Sequence, residues 1–319
     1  MSSLKKKARP HSRPLMTEVR VFAPAKVNLT LHITGHLDNG FHLLDSLVAF
    51  ADIGDTVTLS TQGPAKLQVT GPEAIPELGN NDNIMWHAAL RFWTPDRPLS
   101  MALEKHLPMA SGIGGGSADA AATYRGLLLL RAAVEGHETP RDPTAQDARD
   151  LLEIGADVPM CVPSDPARIR GIGEQIEPVN DLHPYPVVLV NPRVQVSTPA
   201  VFARLLVKDN PGLDPWPDSF EDRDAVLDWL RAQRNDLQDV AVQDCPAIGD
   251  ALEALERTGL CRLARMSGSG ATCFGLFDRV HKAEAAAQAI RAAYPGWWVQ
   301  SGRLNGGRRA APQLMRSTT

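Results

Sequence analysis

A glycine-rich stretch with the sequence PMASGIGGGSADAA, residues 108–121, constrains the fold of this chain more than any other segment. The glycines at 112, 114, 115 and 116 have no Cβ, so the backbone can adopt positive φ and approach another group closely. Ser117 then opens an alanine-rich run, Ala118 to Leu130, that predicts a helix with few β-branched residues. A helix that begins directly behind such a loop offers free N–H groups and the positive end of its dipole. The stretch therefore predicts a phosphate-binding loop and a nucleotide ligand.

Two common nucleotide-binding loops fit this stretch poorly. A Walker loop ends in Gly-Lys-Ser/Thr, whereas Gly116 is followed by Ser117 and Ala118. A dinucleotide fingerprint could start at Gly112, but the strand before it runs into Lys105-His106-Leu107-Pro108 and no acidic residue is placed for a ribose. A glycine-rich turn that only caps an ordinary helix is a third alternative. The stretch alone leaves that alternative open.

The composition describes a globular chain that is long enough for two domains. Of its 319 residues, 43% are hydrophobic and 22% are charged, which allows substantial buried cores. The longest apolar runs, residues 127–130 and 186–190, are far shorter than the ~20 residues that span a bilayer. We therefore expect no membrane insertion.

The basic residues are concentrated at the two ends of the chain. Residues 1–20 and 303–319 carry ten of the 33 lysines and arginines but one of the 37 acidic residues, which leaves a net charge of −13 between them. Nucleic-acid-binding domains usually show a basic face, so we expect no nucleic-acid partner. Residues 1–16 lack the apolar segment of a secretory signal. We expect residues 1–16 to form a disordered basic arm and residues 303–319 a disordered tail.

The four cysteines indicate a reducing compartment. Cys161, Cys245, Cys261 and Cys273 show neither CxxC spacing nor a neighbouring run of histidines, so neither a zinc site nor a disulfide framework is predicted. Reduced thiols in the cytoplasm fit this pattern. Cys161 and Cys273 lie among apolar residues and are expected to be small core residues.

Hydrophobic periodicity predicts an α+β chain. The alternation from Val27 to Ile33 predicts one strand with a single buried face. In the first half we expect further strands at 47–50, 56–60, 67–70 and 101–105, turns at 54–55 and 63–64, and helices at 83–93 and 145–154. In the second half we expect strands at 169–171, 175–178, 187–190, 262–266, 272–277 and 297–300, and helices at 199–206, 225–234, 247–258 and 282–294.

Three further segments carry side chains suited to chemistry. In APAKVNLTLHITGHLDNGFH, Lys26 lies on a strand, where it is either sealed inside with a partner or exposed at an edge. In IGADVPMCV, Asp157 follows a helix end, and Pro159 favours an extended strand after it. Its carboxylate is a candidate general base or a turn residue that caps backbone N–H groups. In RMSGSGATCFGLF, the turn Ser267 to Gly270 either approaches a ligand or forms a tight hairpin.

Together the four segments resemble the GHMP kinase superfamily of small-molecule kinases. The resemblance rests on APAKVNL, GFH, LPMASGIGGGSADAA, GADVP and SGSGATCFG, in this order from about Phe22 to Phe277. It implies an α+β fold of two domains, the first like domain 2 of ribosomal protein S5 and the second a ferredoxin-like α/β sandwich. We place an ATP-binding domain at residues 17–165 and a substrate-binding domain at residues 166–302.

The resemblance also implies the roles of individual residues. Lys26 and Asp157 would be the catalytic pair, with Asp157 as the base. The ATP phosphates would be bound by Pro108, Met109, Ala110, Ser111, Gly112, Ile113, Gly114, Gly115, Gly116, Ser117 and Ala118. From the chemistry of ATP, rather than from the resemblance, Mg²⁺ is expected; the sequence assigns no ligand for it, and Ser117 is a candidate.

Within the superfamily, these sequence motifs are most similar to those of kinases that phosphorylate an alcohol linked to cytidine diphosphate in non-mevalonate isoprenoid synthesis. The substrate would be bound by Asn28, Phe41, His42 and Thr198. Related sequences usually carry tyrosine where this chain has Phe41, so a ring remains to stack on cytosine but a hydroxyl contact is lost. A monomer or a homodimer is expected.

Three rival functions remain open at this level. A sibling kinase could act on homoserine, mevalonate or a sugar alcohol. A nucleotide-binding regulatory protein could keep the fold without catalysis, although Lys26 and Asp157 argue against it. An RNA-binding module that uses the basic arm is disfavoured by the acidic body of the chain.

Overall fold

The computed structural model describes residues 17–94, 97–217, 222–306 and 310–316. The predicted basic arm, residues 1–16, lies outside the described residues. The strands are β1 (Thr17–Asn28), β2 (His32–His36), β3 (His42–Ser60), β4 (Lys66–Thr70), β5 (Ser100–Glu104), β6 (Ala167–Gly171), β7 (Gln175–Pro178), β8 (Tyr185–Asn191), β9 (Leu263–Met266), β10 (Cys273–Leu276), β11 (Trp298–Leu304) and β12 (Gln313–Arg316).

The helices and strands follow one another in runs rather than in regular alternation, which confirms the predicted α+β class. They are α1 (Ile84–Phe92), α2 (Gly115–Glu135), α3 (Ala145–Ile154), α4 (Val158–Cys161), α5 (Thr198–Ala203), α6 (Arg223–Ala232), α7 (Gln238–Asp244), α8 (Pro246–Arg257) and α9 (Val280–Ala293), and a short 3₁₀ helix covers Pro76–Gly79. No helix in the described part of the chain is long and apolar enough to cross a membrane.

Strand β3 is the centre of the first half. It pairs antiparallel with β1, β2, β5 and β6, and β4 adds to β5 in parallel. The predicted turn at Gly54-Asp55 is wrong, because β3 continues through both residues. Gly54 faces Pro24, and a Cβ on Gly54 would lie 2.2 Å from the Ala23 carbonyl oxygen. The glycine therefore allows a close strand pairing where the sequence pattern indicated a turn.

The run from Val27 to Ile33 is also not the single strand that its alternation predicts. Strand β1 ends at Asn28 and β2 begins at His32, with a break between them. The Thr30 hydroxyl accepts the Leu47 N–H at 2.8 Å, which fixes the break against β3. The polar residues Asn28, Thr30 and His32 are as buried as the apolar ones between them. The expectation of one solvent-facing side was therefore wrong, because the second half of the molecule covers it.

The second half contains the antiparallel strand order β11-β8-β10-β9. Its helices agree with the predicted segments, except that α7 was missed. A single pairing, Leu304 with Ala51, joins this sheet to β3. Strands β6 and β7 follow the predicted domain boundary at residue 165 but belong with β3. The boundary itself stays a prediction.

The C-terminal residues that the structure describes are not the disordered tail that the sequence suggested. Strand β11 extends to Leu304, and β12 pairs antiparallel with β1 from Thr17–Arg316 to Arg20–Gln313. Residues 307–309 and 317–319 of the predicted tail lie outside the described residues. Backbone pairing with β1 orders a segment whose composition alone gave no strand signal.

Helix α2 packs across the first sheet and fixes the position of the glycine-rich stretch. Its buried face is mostly alanine and leucine, so the helix approaches the strands closely. At Gly126 a Cβ would lie 2.7 Å from a Leu59 methyl group and 3.0 Å from a Val21 methyl group. The start of α2 is thereby held at the edge of the core.

Candidate active site

The glycine loop, defined as residues 108–118, leads into α2 at Gly115, three residues before the predicted helix start at Ala118. Gly114 caps the helix with φ +64°, and Gly115 and Gly116 form its first turn. The first backbone bond of the helix runs from the Ala118 N–H to the Gly114 carbonyl at 2.9 Å. The N–H groups of residues 115–117 therefore have no partner within the helix. They lie beside the cleft, as an anion site requires.

Gly112 joins this loop to the turn between β9 and β10. It has φ +74°, and a Cβ there would lie 2.4 Å from the Ser267 carbonyl oxygen and 2.7 Å from that of Gly270. The Ser267 hydroxyl donates to the Gly112 carbonyl at 2.9 Å. The segment 267–270 thus connects the hairpin of β9 and β10 and packs against the glycine loop, and its approach to a ligand stays a prediction.

Lys26 lies inside the sheet rather than at an exposed edge. A register shift in β1 between Pro24 and Lys26 precedes it, and its backbone N–H donates to the Ile113 carbonyl at 2.9 Å. The residue is 6% exposed. Its ammonium group donates to Asp157 Oδ2 at 2.9 Å, which satisfies the buried charge.

Asp157 precedes a helix and not the strand that Pro159 suggested. It has φ −84° and ψ −11° and occupies the N-cap position of the short helix α4, in which Pro159 lies in the first turn, but its side chain makes no capping hydrogen bond. Proline is tolerated there because an N–H of the first turn has no helical acceptor. The side chain of Asp157 is 39% exposed and lines the cleft. Its carboxylate is thus accessible to a ligand while it remains paired with Lys26.

A buried charged cluster of Asp55, Lys105 and Asp119 lies beneath the glycine loop. Lys105 Nζ donates to Asp55 at 2.5 Å and to Asp119 at 2.8 Å. Asp55 also accepts the N–H groups of His106 and Leu107 at 2.6 and 2.8 Å. The cluster therefore anchors the backbone that enters the loop. Sequence reasoning missed it, although an aspartate within an alanine-rich helix was an available signal.

The close contacts of this cluster shift the pKa values of Lys105 and Asp119. Burial opposes the charge of Lys105, but Asp119 and Asp55 outweigh it and raise its pKa. Burial, the largest influence, raises the pKa of Asp119 well above its usual value, although Lys105 lowers it. The second oxygen of Asp119, Oδ1, has no hydrogen-bond partner among the described residues.

A second group of predicted residues lies along the other part of the cleft. The Asn28 N–H donates to the Ser267 hydroxyl at 3.0 Å, and its side-chain oxygen is buried without a partner among the described residues. The hydroxyls of Thr198 and Ser269 are 2.6 Å apart. Four residues after Thr198, the ring of Phe202 packs on His42 with centroids 4.8 Å apart. These contacts lead from the glycine loop to His42.

We call the far part of this cleft, lined by Phe41, His42, Phe202 and Lys208, the acceptor end. Phe41 is 56% exposed, so one aromatic face is available there. Burial lowers the pKa of His42, and the charge of Lys208 lowers it further. Phe202 and Lys208 were missed by sequence reasoning, because neither belongs to a recognisable motif.

One cleft of about 1260 Å³ holds nearly all the predicted site residues. A site for one small ligand is typically about 300–1000 Å³, so the cleft has room for two. Ile113 and Ala118 are exceptions, because both are fully buried in the core and do not line the cleft. Their side chains are therefore not placed to contact a ligand in the cleft, and their part in binding ATP stays a prediction. Within the described residues, no cluster of three or more His, Cys, Asp or Glu side chains could hold a metal ion.

The predicted core cysteines are also as expected. Cys161 and Cys273 are buried and all four cysteines are free. Burial raises the pKa of the Cys161 thiol to about 12. Cys161 therefore carries no thiolate at neutral pH.

The α+β fold, with its glycine loop at the start of α2, is that of the GHMP-type small-molecule kinases. The families described as "GHMP kinases N terminal domain" and "GHMP kinases C terminal" match residues 83–164 and 219–296. A homoserine kinase structure from Cytophaga hutchinsonii shares the fold, with a TM-score of 0.59 and 16% identity over 97% of this chain and all of the other.

Proteins with higher sequence identity to this chain show which family within the class it belongs to. The chain is 47% identical to a 4-diphosphocytidyl-2-C-methyl-D-erythritol kinase of Roseobacter denitrificans, over 95% of this chain and 99% of the relative. It is 49% identical to the kinase of the same name from Ruegeria pomeroyi, over 90% and 99%. A crystal structure of 4-(cytidine 5'-diphospho)-2C-methyl-D-erythritol kinase covers 90% of this chain and 99% of its own, with a TM-score of 0.70 and 30% identity. The chain belongs to the 4-diphosphocytidyl-2-C-methyl-D-erythritol kinase family, and it is an enzyme, a phosphotransferase with an alcohol acceptor.

Proposed function

We propose that this enzyme transfers the γ-phosphoryl group of ATP to the 2-hydroxyl of 4-diphosphocytidyl-2-C-methyl-D-erythritol, in the non-mevalonate route to isoprenoid precursors. The observation that carries the proposal is the 2.9 Å pair of Lys26 and Asp157 beside the free N–H groups of the glycine loop. The names of the relatives at 47% and 49% identity support the choice of substrate.

Asp157 is the proposed general base. Its carboxylate accepts the proton of the C2 hydroxyl while that oxygen forms a bond to the γ-phosphorus. The bond between the γ-phosphorus and its bridging oxygen breaks, and ADP leaves with the electron pair. Lys26 holds the carboxylate in place and offsets negative charge near the transferred group. Phosphoryl transfer needs chiefly positioning and charge stabilisation, so these two residues and a helix terminus supply the protein's part.

The glycine loop is the proposed ATP site. The N–H groups of residues 115–117 and the positive end of the α2 dipole favour phosphate oxygens. Mg²⁺ is the expected companion of ATP, and it would neutralise charge on the phosphates when bound. The Ser117 hydroxyl and the unpartnered Asp119 Oδ1 are the side-chain oxygens at the loop that suit it.

The acceptor is proposed to lie along Asn28, Thr198, His42 and Phe41. Asn28 offers an unpartnered buried oxygen, and Thr198 a hydroxyl shared with Ser269. The exposed ring of Phe41 can stack on cytosine, which is worth about 1–3 kcal/mol per base on an aromatic side chain. His42 can read polar atoms of the base through Nε2, which has no partner among the described residues.

A coupled ADP-release assay tests the proposed reaction. We expect turnover with the cytidyl substrate and little with mevalonate, homoserine or a sugar alcohol. Strong phosphorylation of one of these rivals, with none of the cytidyl compound, would contradict the substrate assignment and favour a sibling kinase.

The base is tested by the Asp157→Asn variant. It keeps the shape of the side chain but cannot accept the proton, so we expect kcat to fall by about 100-fold or more while ATP binding persists. ATP affinity, measured by calorimetry, is the control for folding. Turnover at the wild-type rate with ATP still bound would exclude Asp157 as the base.

A further inference from the structure

Lys208 is an unassigned cation at the acceptor end of the cleft. It follows α5 on the loop that returns toward β2, and it lines the cleft together with Phe41, His42 and Phe202. The loop is fixed just beyond it, because the Asn210 N–H donates to the Ile33 carbonyl at 3.0 Å. The Asn210 side chain also donates to Asp236 at 3.1 Å. Lys208 is thus held near the cleft by its neighbours.

Lys208 differs from the other lysines of the cleft in having no charged partner among the residues that the structure describes. Lys26, Lys105 and Lys208 are the lysines that line it, and no arginine in the described part of the chain does so. Lys26 is paired with Asp157, and Lys105 with Asp55 and Asp119. Across the described ranges, the Lys208 side chain makes neither an ion pair nor a hydrogen bond. It is therefore the lysine whose charge remains available to a ligand.

His42 does not supply a competing positive charge. Burial lowers its pKa, as do Lys208 and His36, so its ring is neutral at pH 7. Besides the paired Asp119 and Asp157, the cleft contains the carboxylates of Glu77 and Asp82. A ligand that carries two phosphate groups into this cleft needs a cation against that background.

We propose that Lys208 binds a phosphate oxygen of the diphosphate that links the nucleoside to the alcohol of the acceptor. The inference rests on the proposed function and deepens it, because it assigns the recognition of the linker to a residue outside the resemblance motifs. The ring of Phe41 and the imidazole of His42 would then read the base, and Lys208 the charge beside it. The ammonium group suits this role because it is a flexible point charge that donates three hydrogen bonds.

Calorimetric titration with CDP and with cytidine separates the linker from the nucleoside. Wild-type protein is expected to bind CDP more tightly than cytidine. The Lys208→Met variant is expected to lose on the order of 10-fold in CDP affinity, as for a charge-assisted hydrogen bond, with cytidine affinity unchanged. Lys208→Arg should restore most of the loss, and added salt should narrow the gap between wild type and K208M. Lys66→Met is the matched control, because Lys66 is an exposed lysine on β4 away from the cleft.

The outcomes distinguish the inference from the proposed function. Equal losses for CDP and cytidine in K208M would overturn the inference, because Lys208 would then act on the nucleoside. An unchanged CDP affinity in K208M would overturn it as well. Either result leaves the proposed function intact if the wild-type enzyme phosphorylates the cytidyl substrate. A wild-type enzyme that neither binds CDP nor phosphorylates that substrate would overturn both.

Discussion

At Gly112 the glycine loop lies directly against the turn between β9 and β10. Gly112 depends on two properties of glycine, its tolerance of positive φ and its lack of a Cβ. Its φ is +74°, and the Ser267 carbonyl leaves no space for a Cβ. Gly136, which ends α2, has a similar φ of +80° but open space around it. The two positions therefore separate the cost of backbone conformation from the cost of a collision.

The Gly112→Ala variant tests this distinction. Both G112A and the control G136A carry the ~1–2 kcal/mol cost of a left-handed conformation in an L-residue. G112A must also move a backbone carbonyl, which adds about 1–3 kcal/mol as overpacking does. We expect a larger loss in the free energy of unfolding for G112A, measured with urea, and a higher KM for ATP. Equal losses in the two variants would show that the contact with Ser267 is not close in solution.

At the scale of the element, the helices that could be predicted are those whose capping residues are recognisable in the sequence. Helices α1 and α3 begin at Asn83 and Thr144, whose side chains accept N–H groups of the first turn, and both caps are visible in the sequence. Helix α7 and the helix after Asp157 were missed, because they are short and their conformation is set by packing. Residues of the candidate site were likewise missed where their position depends on packing rather than on a local motif. Lys26 and Asp157 were found through motifs, whereas Lys208 and Phe202 matter only through neighbours more than 150 residues away in the chain.

Helix α3 gives a prediction with a defined pH dependence. Asp147 accepts two bonds from Arg141, at 2.6 and 2.9 Å, one from the Thr144 N–H at 2.8 Å and one from the Tyr124 hydroxyl at 3.1 Å. The Arg141 hydrogen bonds, above all, hold the pKa of Asp147 below its usual value. Asp147→Asn is expected to reduce the free energy of unfolding by about 1–3 kcal/mol at pH 7.

The sign of the pH effect follows from the lowered pKa. The stabilisation by Asp147 is fully present above its unfolded pKa, about 3.9, and is lost as the pH falls through the lower pKa of the folded state. The difference between wild type and D147N should therefore be constant from pH 5 to 7 and shrink below pH 4. Thermal unfolding at several pH values measures it, and a difference that grows toward acid pH would contradict the assigned ion pair.

At the scale of the whole molecule, charged side chains tie distant segments together. Arg125 of α2 is half-buried and donates to the carbonyls of Cys161, Val162, Phe22 and Ala310. Arg193, which follows β8, makes two bonds to Glu73 at 2.5 and 2.8 Å, and Glu73 itself is 9% exposed. The second of these links joins the sheet of the second half to the segment between β4 and the 3₁₀ helix.

The link between Arg193 and Glu73 can be measured by a double-mutant cycle. Arg193→Met leaves a buried carboxylate without its partner, so we expect a loss of about 1–2 kcal/mol in the free energy of unfolding. The variant with both Arg193→Met and Glu73→Gln should recover part of it, since the uncompensated charge is gone. Additive losses in urea unfolding would indicate that the pair is not coupled.

Strand β12 has a consequence for how this protein behaves when its C-terminal segment is cut away. Its pairing from Thr17–Arg316 to Arg20–Gln313 covers the start of β1 on the side that faces away from β3. Removal of residues 310–316 would leave that row of N–H and C=O groups open, and an open strand edge recruits other chains. We therefore expect a segment that does not line the cleft to limit aggregation of the enzyme.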